Sequence, residues 1–338
     1  MKKTAGLILI LLFILSSCGR DRLDVDVDKV STPPLQVFRL EQDLFRLDES
    51  NFEQQSSQIR NKYGVLYDHY LMNPHRLTGV GDSLYKPTVL AFTHDKDVRE
   101  AYEYTRKIYT PAAMESIVEN VELMRKRFRY HFPTRALPTR FVTCTTGWNY
   151  AFAYMDSALI VGLDMYLGDT TKFYQMLRYP QYQTRKMDVN HLLPDIARGW
   201  MLSEFDNKNA ENTLLHHTIF YGKLFYAVEA LLPTTADSLI IGYTSEQMKT
   251  CDKYEKQYWS YFAEKNRLYE SSIQTIRELT SEGPFTAAIS KDAPPRIAMW
   301  IGWQIVRSYM KHNDKVTVSE LMNEQDAQKI LNKSKYRP

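Results

Sequence analysis

Cysteine and glycine are both scarce in this sequence, and neither basic nor acidic side chains dominate it. The 338 residues include three cysteines and 13 glycines, which excludes a disulfide-dense miniprotein and a collagen-like repeat and disfavours a glycine-rich barrel. With 44% apolar residues, the chain has enough apolar surface for a core and is not typical of a disordered protein. The 43 basic and 40 acidic side chains produce no field of one sign that would recruit nucleic acid.

The usual motifs of several enzyme classes are also absent. None of the eight histidines is followed by another four residues later, which excludes the His-Glu-x-x-His zinc motif. The sequence has no Gly-x-Ser-x-Gly elbow, no phosphate loop and no Gly-x-Gly-x-x-Gly, so elbow-serine acyl transfer and nucleotide binding lack their signatures. We therefore expect no metal, no cofactor and no nucleotide, although an enzyme of another kind is not excluded.

The first residues predict an export signal. Two lysines precede an apolar run at 6–15, which is too short to cross about 30 Å of hydrocarbon as a permanent helix. The Leu-Ser-Ser-Cys sequence that ends at Cys18 resembles the bacterial lipobox, in which cleavage before the cysteine leaves a lipid on its sulfur and amine. An ordinary secretory signal with a chance cysteine is the alternative. We expect residues 1–17 to be a lipoprotein signal peptide and Cys18 to be lipidated.

A polar, charged segment follows the predicted lipid anchor. Residues 18–34 end in two prolines and predict a flexible tether, with one folded domain over residues 35–338. Signal cleavage would remove two lysines and lower the formal charge from +3 to about +1, so the lipid is expected to supply the membrane attachment without a basic patch. Because Gly19 and Arg20 separate Cys18 from the acidic stretch, the periplasmic face of the outer membrane is favoured over surface export, with the inner membrane as the alternative.

Helical patterns dominate the rest of the chain. Apolar residues recur at three- and four-residue spacing over 113–132 and among the charges of 245–269, and a proline pair opens a third helix at 296–310. Between the first two, residues 139–145 and 158–163 predict short strands of a small sheet that carries a hairpin. No repeat of 20 to 50 residues is present. The predicted fold is therefore a single α+β domain that is mostly helical.

The mature chain keeps two cysteines after Cys18. Cys144 falls in a predicted strand and Cys251 in a predicted helix, and we expect both to be free, partly buried thiols. Trp300 and Trp303 are three residues apart in an apolar helix, which favours core packing over an aromatic ligand box.

The helix predicted over residues 212–232 is apolar on nearly every side. Gly222 lies at its middle, where a glycine costs close to 1 kcal/mol relative to alanine and usually admits a close neighbour. Lys223 is expected either to reach solvent along its apolar stem or to join a buried polar cluster. His216 and His217 are expected to be a helix-surface pair or to include one capped core histidine.

Several spaced motifs over almost the whole mature chain carry a family resemblance. They are the lipobox start, 158–168 (ALIVGLDMYLG), 179–182 (YPQY), 219–226 (IFYGKLFY), 284–286 (PFT), 301–306 (IGWQIV) and 334–336 (SKY). In this order they resemble the GldB-type gliding motility lipoproteins of Bacteroidetes. The resemblance implies a non-catalytic envelope lipoprotein that serves gliding motility and type IX secretion together with other gliding or secretion proteins. Because members also occur in bacteria that do not glide, a maintenance role in secretion or the outer envelope would fit too.

A more distant similarity concerns the order of strand, helix and helix. The strand ending at Asp164, the helix after it, the Tyr-Gly-Lys of 221–223 and residues 295–302 are similar in order to zincin-like proteases. In those proteases a His-Glu-x-x-His helix follows the strand and a glutamate in the next helix adds a further ligand. Here the first segment would fall at 195–200 and the glutamate position at Tyr221, so the metal ligands are missing.

This second similarity implies a degenerate zincin-like scaffold without its metal. On this hypothesis Asp195 or Arg198, together with Tyr221 and Lys223, fills the former metal site with hydrogen bonds and a salt bridge and leaves a cleft for a peptide or partner. Two alternatives stay open: a peptidase or hydrolase with an unrecognised ligand set, and, more weakly, a carrier of a soluble ligand in a tyrosine-lined cavity.

Overall fold

A computed structural model describes residues 22–72, 81–205 and 212–338 of the chain. The predicted signal peptide and Cys18 lie outside the described residues. Four short strands form one sheet in the order β1-β2-β4-β3. The strands are β1 (Gln36–Arg39), β2 (Arg140–Cys144), β3 (Phe152–Met155) and β4 (Ala158–Gly162).

Helices make up most of the remaining structure. Before β2 they are α1 (Leu40–Leu44), α2 (Phe52–Tyr63), α3 (Val65–Met72), α4 (Tyr85–His94), α5 (Lys96–Ile108) and α6 (Pro111–His131). After β4 they are α7 (Lys172–Met176), α8 (Gln181–Thr184), α9 (Val189–Glu204), α10 (Leu214–Leu231), α11 (Asp237–Ile241), α12 (Ser245–Ala263), α13 (Ile273–Thr280), α14 (Ile297–His312), α15 (Val318–Asn323) and α16 (Ala327–Ser334). Short 3₁₀ turns cover Leu163–Met165 and Glu264–Tyr269. The prediction of a mostly helical α+β domain is confirmed.

The sheet contains both the predicted strands and one that the sequence did not reveal. The two predicted strands, β2 and β4, pair with each other in parallel, and β1 adds a further parallel strand beside β2. The hairpin is formed by β4 and the unpredicted β3. Its two turn residues, Asp156 and Ser157, both have positive φ, +49° and +56°, as a type I′ turn requires.

Each face of the sheet is covered by helices. Phe141, Leu159 and Val161 point into the larger core, which is built with α6, α9, α10 and α14. Val142 and Ile160 point into a smaller core formed with the helices between β1 and β2. This alternation buries both faces, as expected for parallel strands.

Helices α10 and α14 cross at two glycines. A Cβ atom on Gly222 would lie 2.2 Å from the Gly302 carbonyl oxygen, and one on Gly302 would lie 1.8 Å from the Thr218 carbonyl oxygen. Both distances are far shorter than a van der Waals contact. The close neighbour that was predicted for Gly222 is therefore the backbone of α14.

Several other predictions are confirmed by burial. Trp300 and Trp303 are 1% and 0% exposed and pack in the larger core. Cys144 and Cys251 are free thiols that lie in β2 and α12, and both are fully buried. The predicted 245–269 helix ends earlier than expected, because α12 stops at Ala263 and the chain continues as a 3₁₀ turn.

The described part of the predicted tether, residues 22–34, packs against the domain; we call it the strap. Leu23 and Val27 are 1% and 4% exposed, whereas Asp24 and Asp26 between them are exposed. At one end an Arg22 guanidinium nitrogen donates to the Met310 carbonyl oxygen over 3.0 Å. At the other end the buried Arg125 donates to the Pro33 carbonyl oxygen over 2.8 Å. The expectation of a flexible tether therefore does not describe these residues.

Candidate functional site

Two of the four predicted cleft residues lie one turn apart on α9 and form an ion pair. Arg198 donates to one carboxylate oxygen of Asp195, and the Tyr166 hydroxyl donates to the other over 2.9 Å. Arg198 also donates to the carbonyl oxygens of Leu239 and Ile240, over 2.9 and 2.5 Å. Both charged side chains are thus fully engaged within the protein, and they tie α9 to the end of α11.

Arg296 brings a second guanidinium to the end of the same short helix. It donates to the Ile241 carbonyl oxygen over 2.7 Å and lies 3.1 Å from a carboxylate oxygen of Glu282. Glu282 in turn accepts from the Lys186 ammonium over 2.8 Å. We call Lys186, Asp195, Arg198, Glu282 and Arg296 the arginine cluster.

The backbone at Arg296 is unusual for a residue with a side chain. Its φ is +58°, in the left-handed region, which costs roughly 1–2 kcal/mol for a residue with a Cβ. The hydroxyl of Thr286 donates to the Pro294 carbonyl oxygen over 2.6 Å, and the amide of Ile297 points back at that hydroxyl. These contacts and the bound guanidinium hold the strained turn at the start of α14.

Positive charge exceeds negative charge in the arginine cluster, and the pKa values reflect this. Burial lowers the pKa of Arg198 to about 10, and the charge of Arg296 acts in the same direction. Burial and Arg296 also lower the pKa of Lys186. Burial alone would raise the pKa of Glu282, but the charges of Arg296 and Lys186 outweigh it and lower this pKa. Glu282 therefore stays ionised and links two of the three cations.

Tyr221, the third predicted cleft residue, borders the arginine cluster from α10. Burial raises the pKa of its hydroxyl, while the nearby charge of Arg296 opposes this effect. Tyr221 and Glu282 both line a surface cavity of about 500 Å³. The structure thus places Tyr221 beside the group that contains Asp195 and Arg198.

Lys223, the fourth predicted residue, lies on a different side of α10 and does not join them. Two residues correspond to about 200° around a helix, so Lys223 points away from Tyr221. Its ammonium donates to the carbonyl oxygens of Glu324 and Met322, over 2.7 and 3.4 Å, and its side chain is buried. Of the two expectations, the buried polar cluster describes Lys223, although no carboxylate pairs with it in the described residues. Its partners are main-chain carbonyls.

The surroundings of Lys223 form a small polar cavity of about 200 Å³. Arg135, Glu204 and His216 contribute to its lining, and Arg135 and Glu204 form a salt bridge of 3.2 Å. Burial lowers the pKa of Lys223 to about 8. His216 is the buried core member of the predicted histidine pair, and burial lowers its pKa as well.

A larger cleft lies next to the arginine cluster, and we call it the α8–α12 cleft. It has a volume of about 440 Å³, and Tyr182, Arg185, His191, Thr244 and Pro284 line it together with Lys186 and Glu282. Arg185 is exposed on its rim. The cleft thus offers cationic, aromatic and hydroxyl groups to a ligand, while its carboxylate, Glu282, is already paired.

The described residues contain no group of three or more His, Cys, Asp or Glu side chains placed to hold a metal ion. Burial also raises the pKa of the Cys144 and Cys251 thiols, which makes neither of them a ready nucleophile. Along 22–72, 81–205 and 212–338, no helix combines the length and the apolar character that a bilayer span needs.

The sequence predicted Asp195, Arg198 and Tyr221, which the structure places together, but it did not indicate Lys186 and Glu282. These two come from segments that lie far apart in the chain and share no short motif with α9. Arg296 was noticed as the start of a helix, and its left-handed backbone has no sequence signal. Packing brings Lys186, Glu282 and Arg296 to the pair that Asp195 and Arg198 form within α9.

Comparison with known proteins supplies a family. The family profile described as gliding motility protein GldB matches residues 20–338. No curated protein and no solved structure matches the chain. Because the profile covers nearly the whole sequence, the chain belongs to the GldB family of gliding motility lipoproteins.

Proposed function

We propose that this protein is a non-catalytic accessory of gliding motility and of the type IX secretion machinery, and that it acts through contacts with other envelope proteins. The family assignment supports the motility role and the envelope location. In this proposal residues 1–17 are removed on export and a lipid on Cys18 attaches the protein to a membrane. The periplasmic face of the outer membrane is the favoured location.

The engagement of Asp195 is the observation that best supports a non-catalytic role. A general base or metal ligand needs an oxygen that can reach substrate or metal. Both carboxylate oxygens of Asp195 accept internal hydrogen bonds, from Arg198 and Tyr166. Glu282 is likewise held by two cations. The acidic groups beside the cleft therefore act as structural partners for arginine and lysine.

The α8–α12 cleft is the proposed contact surface for a protein partner. Its exposed cation, Arg185, has no ion-pair partner in the described residues, and Tyr182 and Pro284 supply apolar surface beside it. Tyrosine and arginine are enriched among residues that dominate protein interfaces. A peptide segment with an acidic residue fits this lining best.

The role in motility and secretion is tested by purification from cross-linked envelopes. We expect gliding or secretion components to be recovered with the wild-type protein and lost with Cys18→Ala, which cannot carry the lipid. A deletion strain should show reduced gliding or reduced type IX secretion. If the wild-type protein recovers no such component and the deletion strain secretes normally, the proposal is wrong.

The cleft is tested by charge reversal at its rim. Arg185→Glu should reduce recovery of the partner, since it replaces an exposed cation with an anion. Arg46→Glu is the matched control, because Arg46 is also exposed but lies after α1, by the smaller core. Equal recovery with both variants would place the contact elsewhere on the protein.

Metal analysis tests the enzymatic alternative. The purified protein should contain no stoichiometric zinc and should not cleave peptide libraries. Stoichiometric zinc together with peptidase activity would overturn the non-catalytic assignment.

A further inference from the structure

The strap fixes which face of the domain lies nearest to its membrane anchor. Arg22 donates to the carbonyl oxygens of Met310 and Val316, which flank the loop between α14 and α15. Leu23 is buried directly after it. The described chain therefore contacts the domain at this loop, from Arg22 onward.

Little chain separates this point from the proposed lipid. Cys18 and Arg22 are four residues apart, which corresponds to at most about 14 Å of extended chain. A lipid on Cys18 would thus hold the α14–α15 loop close to the headgroups, within about two Debye lengths, each about 8 Å at physiological salt. Charges on this loop would therefore interact electrostatically with the lipid headgroups.

The surface around the strap entry is basic. Lys311 is exposed in the last turn of α14, Lys315 is exposed on the loop that follows, and Lys333 and Lys335 are exposed at the end of α16. The two segments are in contact, since the Asn313 amide donates to the Lys333 carbonyl oxygen over 3.3 Å. We call Lys311, Lys315, Lys333 and Lys335 the basic face.

In the part of the chain that the structure describes, no acidic side chain forms an ion pair with these lysines. By contrast, Lys329, close by on α16, pairs with Glu324. Asp314 is the acidic residue of the loop. Asp24 of the strap lies near Arg127, whose pKa it raises against the larger effect of burial. The four lysines thus outnumber Asp314 and Asp24 at the strap entry, while Asp26 and Asp28 follow further along the strap.

We propose that the basic face is a docking surface for anionic phospholipid headgroups and that it lays the domain on the membrane beside its own anchor. The proposal rests on the proposed lipidation of Cys18. It replaces the expectation that the lipid is the sole attachment, since four lysines without ion pairs in the described residues lie next to the predicted lipid anchor. A juxtamembrane lysine is attracted to an anionic surface by a local electrostatic effect that net charge does not report.

Vesicle binding tests the basic face without the lipid. The mature chain carrying Cys18→Ala is mixed with vesicles of phosphatidylglycerol and phosphatidylcholine, and with vesicles of phosphatidylcholine alone. We expect binding to the anionic vesicles, weakening as salt is raised from 25 to 500 mM. The double variant Lys311→Gln, Lys315→Gln should bind about 25-fold more weakly at low salt, at about a fivefold loss for each lysine.

The matched control is Lys96→Gln, Lys107→Gln, which removes two exposed lysines from α5. It should change the affinity less than threefold. Equal losses in the two double variants, or no binding to anionic vesicles, would overturn the proposal. Because no motility partner takes part, this failure is distinct from failure of the proposed function, which shows in envelope purification and gliding.

A second measurement tests the orientation of the lipidated protein. A fluorophore is attached through Lys311→Cys or, as control, Lys96→Cys, and the protein is reconstituted in vesicles with headgroup spin-labelled lipid. The native Cys144 and Cys251 are buried and should not react in the folded protein. The label at 311 should be quenched several times more strongly than the label at 96. Equal or reversed quenching would contradict the docking.

Discussion

The crossing of α10 and α14 makes a sharp prediction about Gly302. In an isolated helix, alanine at this position would be favoured by about 1 kcal/mol. In the folded protein its Cβ would lie 1.8 Å from the Thr218 carbonyl oxygen. Since that obstacle is backbone, no rotamer change removes it, and the helices must move apart by more than 1 Å. Because Ile301, Trp303 and Ile305 pack into the same core, this movement would also loosen their contacts.

The expected size of the effect follows from these opposing contributions. Overpacking a well-packed core costs typically about 1–3 kcal/mol and more when the backbone must move. We therefore expect Gly302→Ala to lower the free energy of unfolding by about 2–3 kcal/mol, despite its better helix propensity. For a domain of about 300 residues the melting temperature should fall by roughly 3–5 °C.

Urea unfolding and thermal melting both measure this change. Gly283→Ala is the control, because its Cβ would meet no atom closer than 3.6 Å and its φ is not positive; it should be neutral or slightly stabilising. Gly222→Ala should also destabilise, and the double variant with Gly302→Ala should lose less than the sum, since one separation of the helices relieves both clashes. If Gly302→Ala is as stable as the wild type, the close crossing is wrong.

Three further predictions concern single side chains. Arg296→Ala should destabilise the protein by about 1 kcal/mol more than Arg296→Gly, because both lose the guanidinium and only glycine relieves the left-handed strain; equal unfolding free energies would contradict this. The folded-state pKa of Lys223 is lowered from 10.5 to about 8. The free energy of unfolding of the wild type, relative to that of Lys223→Met, should therefore rise by up to about 3 kcal/mol between pH 8 and 10.5. A difference in urea unfolding that stays constant over this range would refute the prediction. Burial and Arg127 lower the pKa of His131 to about 4. The stability that comes from the neutral imidazole is therefore lost as the pH falls from 6.5 towards 4. His131→Phe should lose less of its free energy of unfolding over that pH range than the wild type does.

The sequence predicted those elements whose signal is local and repeated. The segment that forms α6 shows a regular apolar stripe. The position of Gly222 in an apolar helix predicted a close contact with a neighbouring element. β3 was missed because its four residues are only partly buried and carry no clear alternation. The strap was missed because its charged and proline-rich composition indicated a tether, although Leu23, Val25 and Val27 alternate with aspartates.

The candidate site was predictable only in part, for a related reason. Asp195 and Arg198 are one helical turn apart, so their pairing is a local property of α9. The bonds from Arg198 and Arg296 to the last carbonyls of α11 depend on where three separate segments meet. The direction of Lys223 likewise depends on α15, whose end supplies its carbonyl partners. No sequence motif predicts such contacts, because they form only when separate segments pack together.

The arginine cluster and the basic face differ in how their charge is compensated, and this difference separates their roles. In the cluster, Asp195 and Glu282 pair with buried guanidinium groups, so removing either acid leaves a desolvated cation and should destabilise the fold. In the basic face, lysines such as Lys311 are exposed and unpaired, so their removal should change stability by no more than about 0.5 kcal/mol. A substitution that weakens membrane binding without changing the unfolding free energy therefore reports on a surface, whereas one that changes both reports on the scaffold.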